Sequence, residues 1–263
     1  MPRFKREISE TGIYHVMTRG NAKNNIFIDR EDKEKYLSIL QEKKQESNYV
    51  LYAYCIMTNH SHLIIRELNE SLSDIMKKVN ISYAIYFNKK YERVGHVFQD
   101  RYVSEPIEDD NYLLTAIRYV HNNPVKAKIA KNAQAYSWSS YGYYVKDIKN
   151  NLVDTEFVLS LFSSDIDRSR NLFQEFSIKE NDDRLIDIDY EEKPLAIKDY
   201  HEAKIYIIDY LKDNGLKLED LRKREYIAKR NELILYLRQN SGLSIRKISE
   251  LLNVGRNMVA NAK

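Results

Sequence analysis

Cysteine, glycine and proline are scarce in this chain. Among 263 residues there are one cysteine, 7 glycines and 4 prolines. A lone cysteine, Cys55, excludes an internal disulfide framework and fits a reducing cytoplasm, which is the expected compartment. Its expected place is a strand in the core, as a small apolar residue. So few glycines and prolines disfavour a loop-rich all-β protein. No apolar run approaches the roughly 18–20 residues needed to span a bilayer. The first ten residues, MPRFKREISE, lack the apolar centre of a secretory signal. Charge of one sign is also in short supply: the formal net charge is +3 at pH 7. Composition alone therefore does not declare a polyanionic partner.

The distribution of what is present says more. Hydrophobic residues make up 43%, enough for a real core. The length allows one large domain or two small ones. Lys77, Lys78, Lys89, Lys90, Arg93 and Arg101 crowd the middle of the chain, whereas acidic residues dominate Glu180–Glu192. Each such charge is by default a solvated face. Tyrosine is abundant, at 21 residues. Tyrosines among basic residues suit stacking on unpaired bases, although ordinary packing accounts for most of them.

Local patterns predict the elements in order. Ile13–Arg19 alternates apolar and polar residues and reads as a strand that Gly20-Asn21 ends. Asp29–Ser47 reads as an amphipathic helix with Tyr36, Leu37 and Leu40 on one stripe. Tyr49–Met57 and His60–Arg66 read as a hairpin around Thr58-Asn59. Ser71–Tyr91 is a long helix whose stripe of Leu72, Ile75, Met76, Val79 and Tyr83 is read as core. Val97–Pro106 reads as a fourth strand, and Asp109–Asn122 as a helix with acidic residues in its first turn. Strand, helix, two strands, helix, strand is a split βαβ pattern. It predicts an α+β, ferredoxin-like domain whose antiparallel sheet carries helices on one face, closed by Trp138–Tyr141.

At the centre lies Tyr54–Arg66, YCIMTNHSHLIIR. In a strand, residues i and i+2 project from the same face, so His60 and His62 stand side by side. Two neutral imidazoles so placed suit a divalent cation; a pair of surface histidines at a strand start is the plainer reading. The spacing resembles the histidine–hydrophobe–histidine motif of the HUH single-strand nucleases, with Ser61 in the middle position. Tyr14–Asn21 (YHVMTRGN), Met57–Ile65 (MTNHSHLII), Gly95–Tyr102 (GHVFQDRY) and Tyr119–Lys126 (YVHNNPVK) follow in the order found in single-tyrosine HUH transposases. The chain most resembles the REP-associated tyrosine transposases, over roughly residues 8–145.

That resemblance implies a tyrosine nucleophile that becomes joined to a 5′ phosphate. On the helix at Asp109–Asn122, Leu113, Ala116, Ile117 and Val120 form the core stripe. At about 100° per residue, Tyr119 lies off that stripe and is expected to point away from the core. It also matches the family's catalytic tyrosine, five residues before the proline of the Asn-Pro-Val-Lys block. Tyr112, on the same face, is the second candidate. The family's third metal ligand falls at Asn123, with Mg²⁺ or Mn²⁺ as the cofactor; Pro124 is expected to turn Asn123 out of helical geometry. His121 lies on another face and reads as a surface histidine. Arg19, Asn21 and Lys23 follow the first strand, and Arg101 and Lys126 match basic positions of the family blocks. They are candidate contacts to a DNA strand, and each is equally a candidate solvated charge.

The chain divides, on this reading, into residues 1–145 as the HUH domain, 146–196 as an acidic connector with a helical island at Asp154–Phe162, and 197–263 as a helical domain. Ile205, Ile208 and Leu211, then Leu233, Ile234 and Leu237, mark apolar repeats of that last part. Residues 243–263 follow helix-turn-helix grammar, with an ordinary helical hairpin as the alternative. Ser244 is a candidate cap, Ile245–Leu252 a first helix, and Arg256–Ala262 a second helix bearing Arg256 and Asn257 toward duplex DNA. The resemblance implies a transposase or single-strand endonuclease acting on hairpin-bearing single-stranded DNA. No membrane partner is expected, and a homodimer is among the family's arrangements. The alternatives are a DNA-binding regulator that has lost catalysis on the same fold, and a small metal-dependent hydrolase, for which no clear set of acidic ligands is present.

Overall fold

The computed structural model describes residues 7–179, 185, 197, 200–241, 243 and 245–262. These fall into two compact units. The first takes the residues up to Ala84 and those from Phe98 to Leu185; the second takes Ile85–Val97 and those from Ile197 onward.

The first unit runs β1 (Ile13–Arg19), α1 (Arg30–Ser47), β2 (Val50–Ile56), β3 (His60–Arg66), α2 (Leu72–Lys90, which the division crosses), β4 (Val103–Ile107), α3 (Asp110–Lys126), α4 (Tyr141–Val145), α5 (Glu156–Ser160) and α6 (Ile166–Ile178). The strands form one sheet in the order β2-β3-β1-β4, with every pairing antiparallel. This is the expected split βαβ arrangement, with β1 and β3 central. Asp29 starts α1 with a reciprocal cap: its side chain accepts from the Asp32 backbone N–H, and the Asp32 carboxylate accepts from that of Asp29.

Register decides which side chains share a face. Arg19 lies opposite His60, Thr18 opposite Ser61 and Met17 opposite His62. Ser61 therefore points away from the histidines, toward α1 and α2. Its hydroxyl is 2.8 Å from that of Thr18 and 3.1 Å from that of Tyr36. Tyr36 packs edge-on against Tyr83 of α2 and against Phe27. A serine at the middle position of the motif thus completes a buried hydroxyl cluster on the helix-covered face. Leu72, Ile75, Met76, Val79 and Tyr83 are all buried there or along the same helix, as their spacing predicted.

Three expectations need correction. Helices cover both faces, not one: α3 packs on β2 and β3 across the histidine face. That is why β1 is buried along its whole length instead of alternating. The fourth strand is also shorter than residues 97–106. Phe98 makes only an isolated bridge to Gly20, and the Arg101 N–H bonds locally to the Asp100 carboxylate instead of to a ladder partner. Finally, α3 does not stop at Asn122. Asp109 caps its start by accepting from the Tyr112 N–H at 2.8 Å. Pro124 withholds one donor, yet the helix runs to Lys126 and closes with the Ala127 N–H on the Asn123 carbonyl at 2.9 Å.

Residues 138–140 lie along the outer edge of β2, as expected of a closing stretch. The Ile56 N–H donates to the Trp138 carbonyl at 2.9 Å and the Ser140 N–H to the Tyr54 carbonyl at 3.0 Å. In the stretch read as a connector, α6 packs on both α5 and α4, and Phe173 of α6 stacks on Tyr144 at 4.5 Å between centroids. Most of the acidic run Glu180–Glu192 lies outside the described residues.

The second unit contains α7 (Tyr200–Asp213), α8 (Ile227–Asn240), α9 (Ile245–Leu252) and α10 (Arg256–Ala260). Its core gathers Ile207, Leu211, Leu221, Leu233, Ile234, Leu237, Ile248, Leu252, Val254 and Val259. Ile205 and Ile208, expected inside, are 48% and 55% exposed. The core face of α7 runs through Ala203, Ile207 and Leu211 at four-residue spacing. Asn253 takes φ 52° in the turn between α9 and α10. The proposed cap Ser244 lies outside the described residues. Among the described residues, no helix is long and apolar enough to cross a membrane.

Candidate active site

The site is built where β3 begins. Gly20 ends β1, and a Cβ there would sit 2.0 Å from the Asn24 carbonyl oxygen, so only glycine fits this turn. The Gly20 N–H donates to the Asn59 carbonyl at 2.8 Å, which fixes the residue just before His60. His60 and His62 then project from one face, 7% and 2% exposed, with ring centroids 5.0 Å apart.

Burial disfavours the charged form of both imidazoles. Burial, and then the Arg19 guanidinium, push His60 down to about 3. Burial, followed by repulsion from His60 and His15, holds His62 well below the usual histidine value. The His60 Nδ1 lies 2.5 Å from the Asn59 side-chain oxygen, which only accepts. His60 therefore donates from Nδ1, and its lone pair sits on Nε2. His62 Nδ1 is engaged as well, at 2.9 Å from Nε2 of His15. Neutral histidines with an orienting partner on one nitrogen suit a divalent cation at the other, so the residues present fit one.

His15 is a residue that the sequence reading quoted within a block but assigned no part. It is fully buried on β1 and stacks on His62 with centroids 5.1 Å apart. No spacing rule singles it out, because it meets His62 only through the β1–β3 register.

Tyr119 joins the same group. Its ring packs edge-on against His15 at 5.8 Å and His62 at 6.0 Å between centroids. It is 1% exposed, which corrects the expectation that it points away from the core. The sheet buries one side of α3 and α6 covers another, so burial extends far beyond the stripe of Leu113, Ala116, Ile117 and Val120. Lys126 places its ammonium 4.5 Å from the centroid of the Tyr119 ring. Asn123, one turn after Tyr119, is buried and remains helical, with its amide nitrogen 3.5 Å from the Tyr119 carbonyl. Tyr112 is half-buried. Its hydroxyl is pushed up by burial and by a bond to the Glu105 carboxylate.

His121 is not on the surface. It is fully buried, its Nε2 lies 2.7 Å from the Ser140 hydroxyl, and Tyr141, Tyr144 and Phe173 surround its ring. Burial pushes it down to about 3.

The basic candidates divide by position. Arg19 is buried beside His60. Asn21 and Lys23 are exposed in a 3₁₀ turn directly after it, and Arg101 and Lys126 are exposed. In the second unit, Arg256 and Asn257 are exposed at the start of α10. Arg256 forms a surface ion pair with Glu92 at 3.0 Å, and Arg246 pairs with the same carboxylate at 3.3 Å. Among the described residues, no group of three or more His, Cys, Asp or Glu is placed to hold a metal. A third protein ligand would thus have to be of another type, such as Asn123.

Residues 9–123 match the family model described as transposase IS200 like. The match covers less than half of the chain, and His60, His62 and Tyr119 all lie within it. Two solved structures are similar to parts of the chain. One is a REP-associated tyrosine transposase bound to a REP hairpin, 14% identical, with TM-score 0.49 over 59% of this chain and 96% of that one. The other is a candidate transposase from Deinococcus radiodurans R1, 14% identical, with TM-score 0.33 over 43% of this chain and 91% of that one. No curated protein matches the chain.

Proposed function

We propose that the protein is a DNA strand transferase that cleaves and rejoins single-stranded DNA through a 5′-phosphotyrosine at Tyr119. The observation that carries this reading is the meeting of Tyr119 with His62 and His15 on one sheet face, at 6.0 and 5.8 Å between ring centroids. His60, His62 and Asn123 would hold Mg²⁺ or Mn²⁺. When bound, the cation supplies Lewis-acid polarisation of a non-bridging phosphate oxygen.

The chain's own groups do the rest. The Tyr119 oxygen attacks phosphorus, the bond to the 3′ oxygen breaks, and the departing strand leaves as a 3′-OH. The new phosphotyrosine keeps the energy of the broken phosphodiester, so a second 3′-OH can reverse the step on another strand without ATP. Lys126 covers the Tyr119 ring from an exposed helix end, and its displacement onto the incoming phosphate would admit the strand. Asn21, Lys23 and Arg101 would grip the backbone, and buried Arg19 adds positive potential at His60.

Hairpin-bearing single strands are the proposed substrate, in keeping with the family. The α9–turn–α10 pair would read duplex DNA through Arg256 and Asn257. The domain scheme proposed from sequence, with residues 1–145 catalytic and 197–263 binding DNA, serves this division of labour.

End-labelled hairpin oligonucleotides incubated with protein and Mn²⁺ test the reading on denaturing gels. Wild type should give a covalent adduct that maps to Tyr119. Tyr119→Phe, His60→Ala and EDTA should each abolish it. An adduct that persists in Tyr119→Phe, or binding with no adduct in the wild type, defeats the proposal; the latter result fits a DNA-binding regulator.

A further inference from the structure

We propose that His15 is a positioning residue for His62: its Nε2 accepts the His62 Nδ1 proton and so keeps the His62 lone pair on Nε2, available to a cation. This deepens the cation-site reading above and rests on it.

The contact is a diagonal one across β1 and β3. His15 lies opposite Ile64, while Met17 lies opposite His62, yet the two rings reach each other and stack at 27°. Their facing nitrogens are 2.9 Å apart. At that hydrogen-bond distance one nitrogen donates and the other accepts, so a single proton lies between them. If His62 donates it, the His62 lone pair is on Nε2. If His15 donates it, His62 carries its proton on Nε2 and offers no lone pair there. The identity of the acceptor therefore determines whether His62 is able to ligate.

Nothing else at His15 fixes the choice. Its Nδ1 is buried and, among the described residues, has no hydrogen-bond partner. An uncompensated polar atom in a core is costly to keep, and a phenylalanine would fill similar space without it. The nitrogen facing His62 gives a reason for the histidine. Asn59 holds the Nδ1 of His60 in the same manner at 2.5 Å. The two candidate ligands thus each have Nδ1 occupied by a partner from a different strand or turn, the arrangement that orients metal-bound histidines.

The test compares full-length wild type, His15→Phe, His15→Gln and His62→Ala by calorimetric titration with Mn²⁺ near pH 7.5, each checked by thermal melting. Phe keeps an aromatic ring without an acceptor; the Gln amide oxygen restores an acceptor without the ring. His15→Phe should weaken Mn²⁺ binding by about tenfold or more, and His15→Gln by no more than about threefold. Wild-type affinity in His15→Phe, or an equal loss in both variants, overturns the inference. If wild type binds no better than His62→Ala, the cation site itself is wrong and the inference falls with it.

A second measurement does not depend on how the variants fold. Imidazole ¹⁵N spectra of the wild type with Mg²⁺ should show the His62 proton on Nδ1 and the His15 proton also on Nδ1. A proton on His62 Nε2 overturns the proposal even if Mn²⁺ binds.

Discussion

The Lys126 ammonium lies over the Tyr119 ring, 4.5 Å from its centroid and seven residues further along the same helix. A cation on the face of an aromatic ring is attracted by its quadrupole, modestly at an exposed site. This link is weak enough to yield to a phosphate. Lys126→Met keeps most of the stem and removes the charge. The expected result is slower adduct formation, by about tenfold, and a salt dependence of DNA binding reduced by about one in slope. Melting temperature should hardly move. Unchanged adduct kinetics would make Lys126 an ordinary surface charge.

Ser140 ties three elements together. Its hydroxyl lies 2.7 Å from His121 Nε2 on α3 and accepts from the Tyr54 N–H of β2 at 2.9 Å. Ser140→Ala would strand both groups in the core. The cost should be about 1–3 kcal/mol, read from the denaturant midpoint at constant m-value. A midpoint equal to that of wild type would show that these groups find other partners.

Acid should destabilise the first unit well before carboxylates titrate. His15, His60 and His121 are each pushed down to about 3 by burial. In the unfolded chain they titrate near 6.5, so below that pH the unfolded state binds more protons than the folded one. Their contribution is complete above about pH 7 and is lost progressively as pH falls from about 6.5 toward 3. Denaturant midpoints should be flat from pH 7 to 8 and fall steadily from pH 6.5 to 4.5. A midpoint constant down to pH 5 would contradict neutral burial of these rings.

Arg256 offers a check on the second unit. Its ion pair with Glu92 is exposed, and such pairs add about 1 kcal/mol at most. Arg256→Ala should leave melting nearly unchanged while lowering affinity for duplex DNA. Duplex binding equal to wild type in both Arg256→Ala and Asn257→Ala would remove α10 as a DNA reader. Point substitutions are preferable to a chain ending at Val145, which would strip Phe173 from Tyr144 and expose His121.

The strands and helices were largely legible in the sequence. Period-2 and helical patterns placed β1 and β3 to the residue and α1, β2 and α2 to within one residue at each end. The errors share a cause. Val97–Tyr102 has strand composition, but only Phe98 and Gln99 reach the end of β1, and the Arg101 N–H turns to the neighbouring Asp100 carboxylate. Tyr119 lies off the apolar stripe of α3, but a stripe shows only the side facing a single partner. That helix has several, so Tyr119 and His121, both polar aromatics, are buried on either side of it.

From the sequence alone came the histidine pair on one face, Tyr119 on a helix, and the order of motifs that resembles a tyrosine transposase. Those are local facts, carried by residue spacing and by the periods of strand and helix. Tertiary structure decided the rest. The β1–β3 register set His15 against His62 and Arg19 beside His60, and the packing of α3 over the sheet brought Tyr119 to the same group. Register depends on pairings between residues nearly fifty positions apart, His15 and His62 being 47 apart. No local period encodes such a pairing, because it is selected by the total burial of two sheet faces at once.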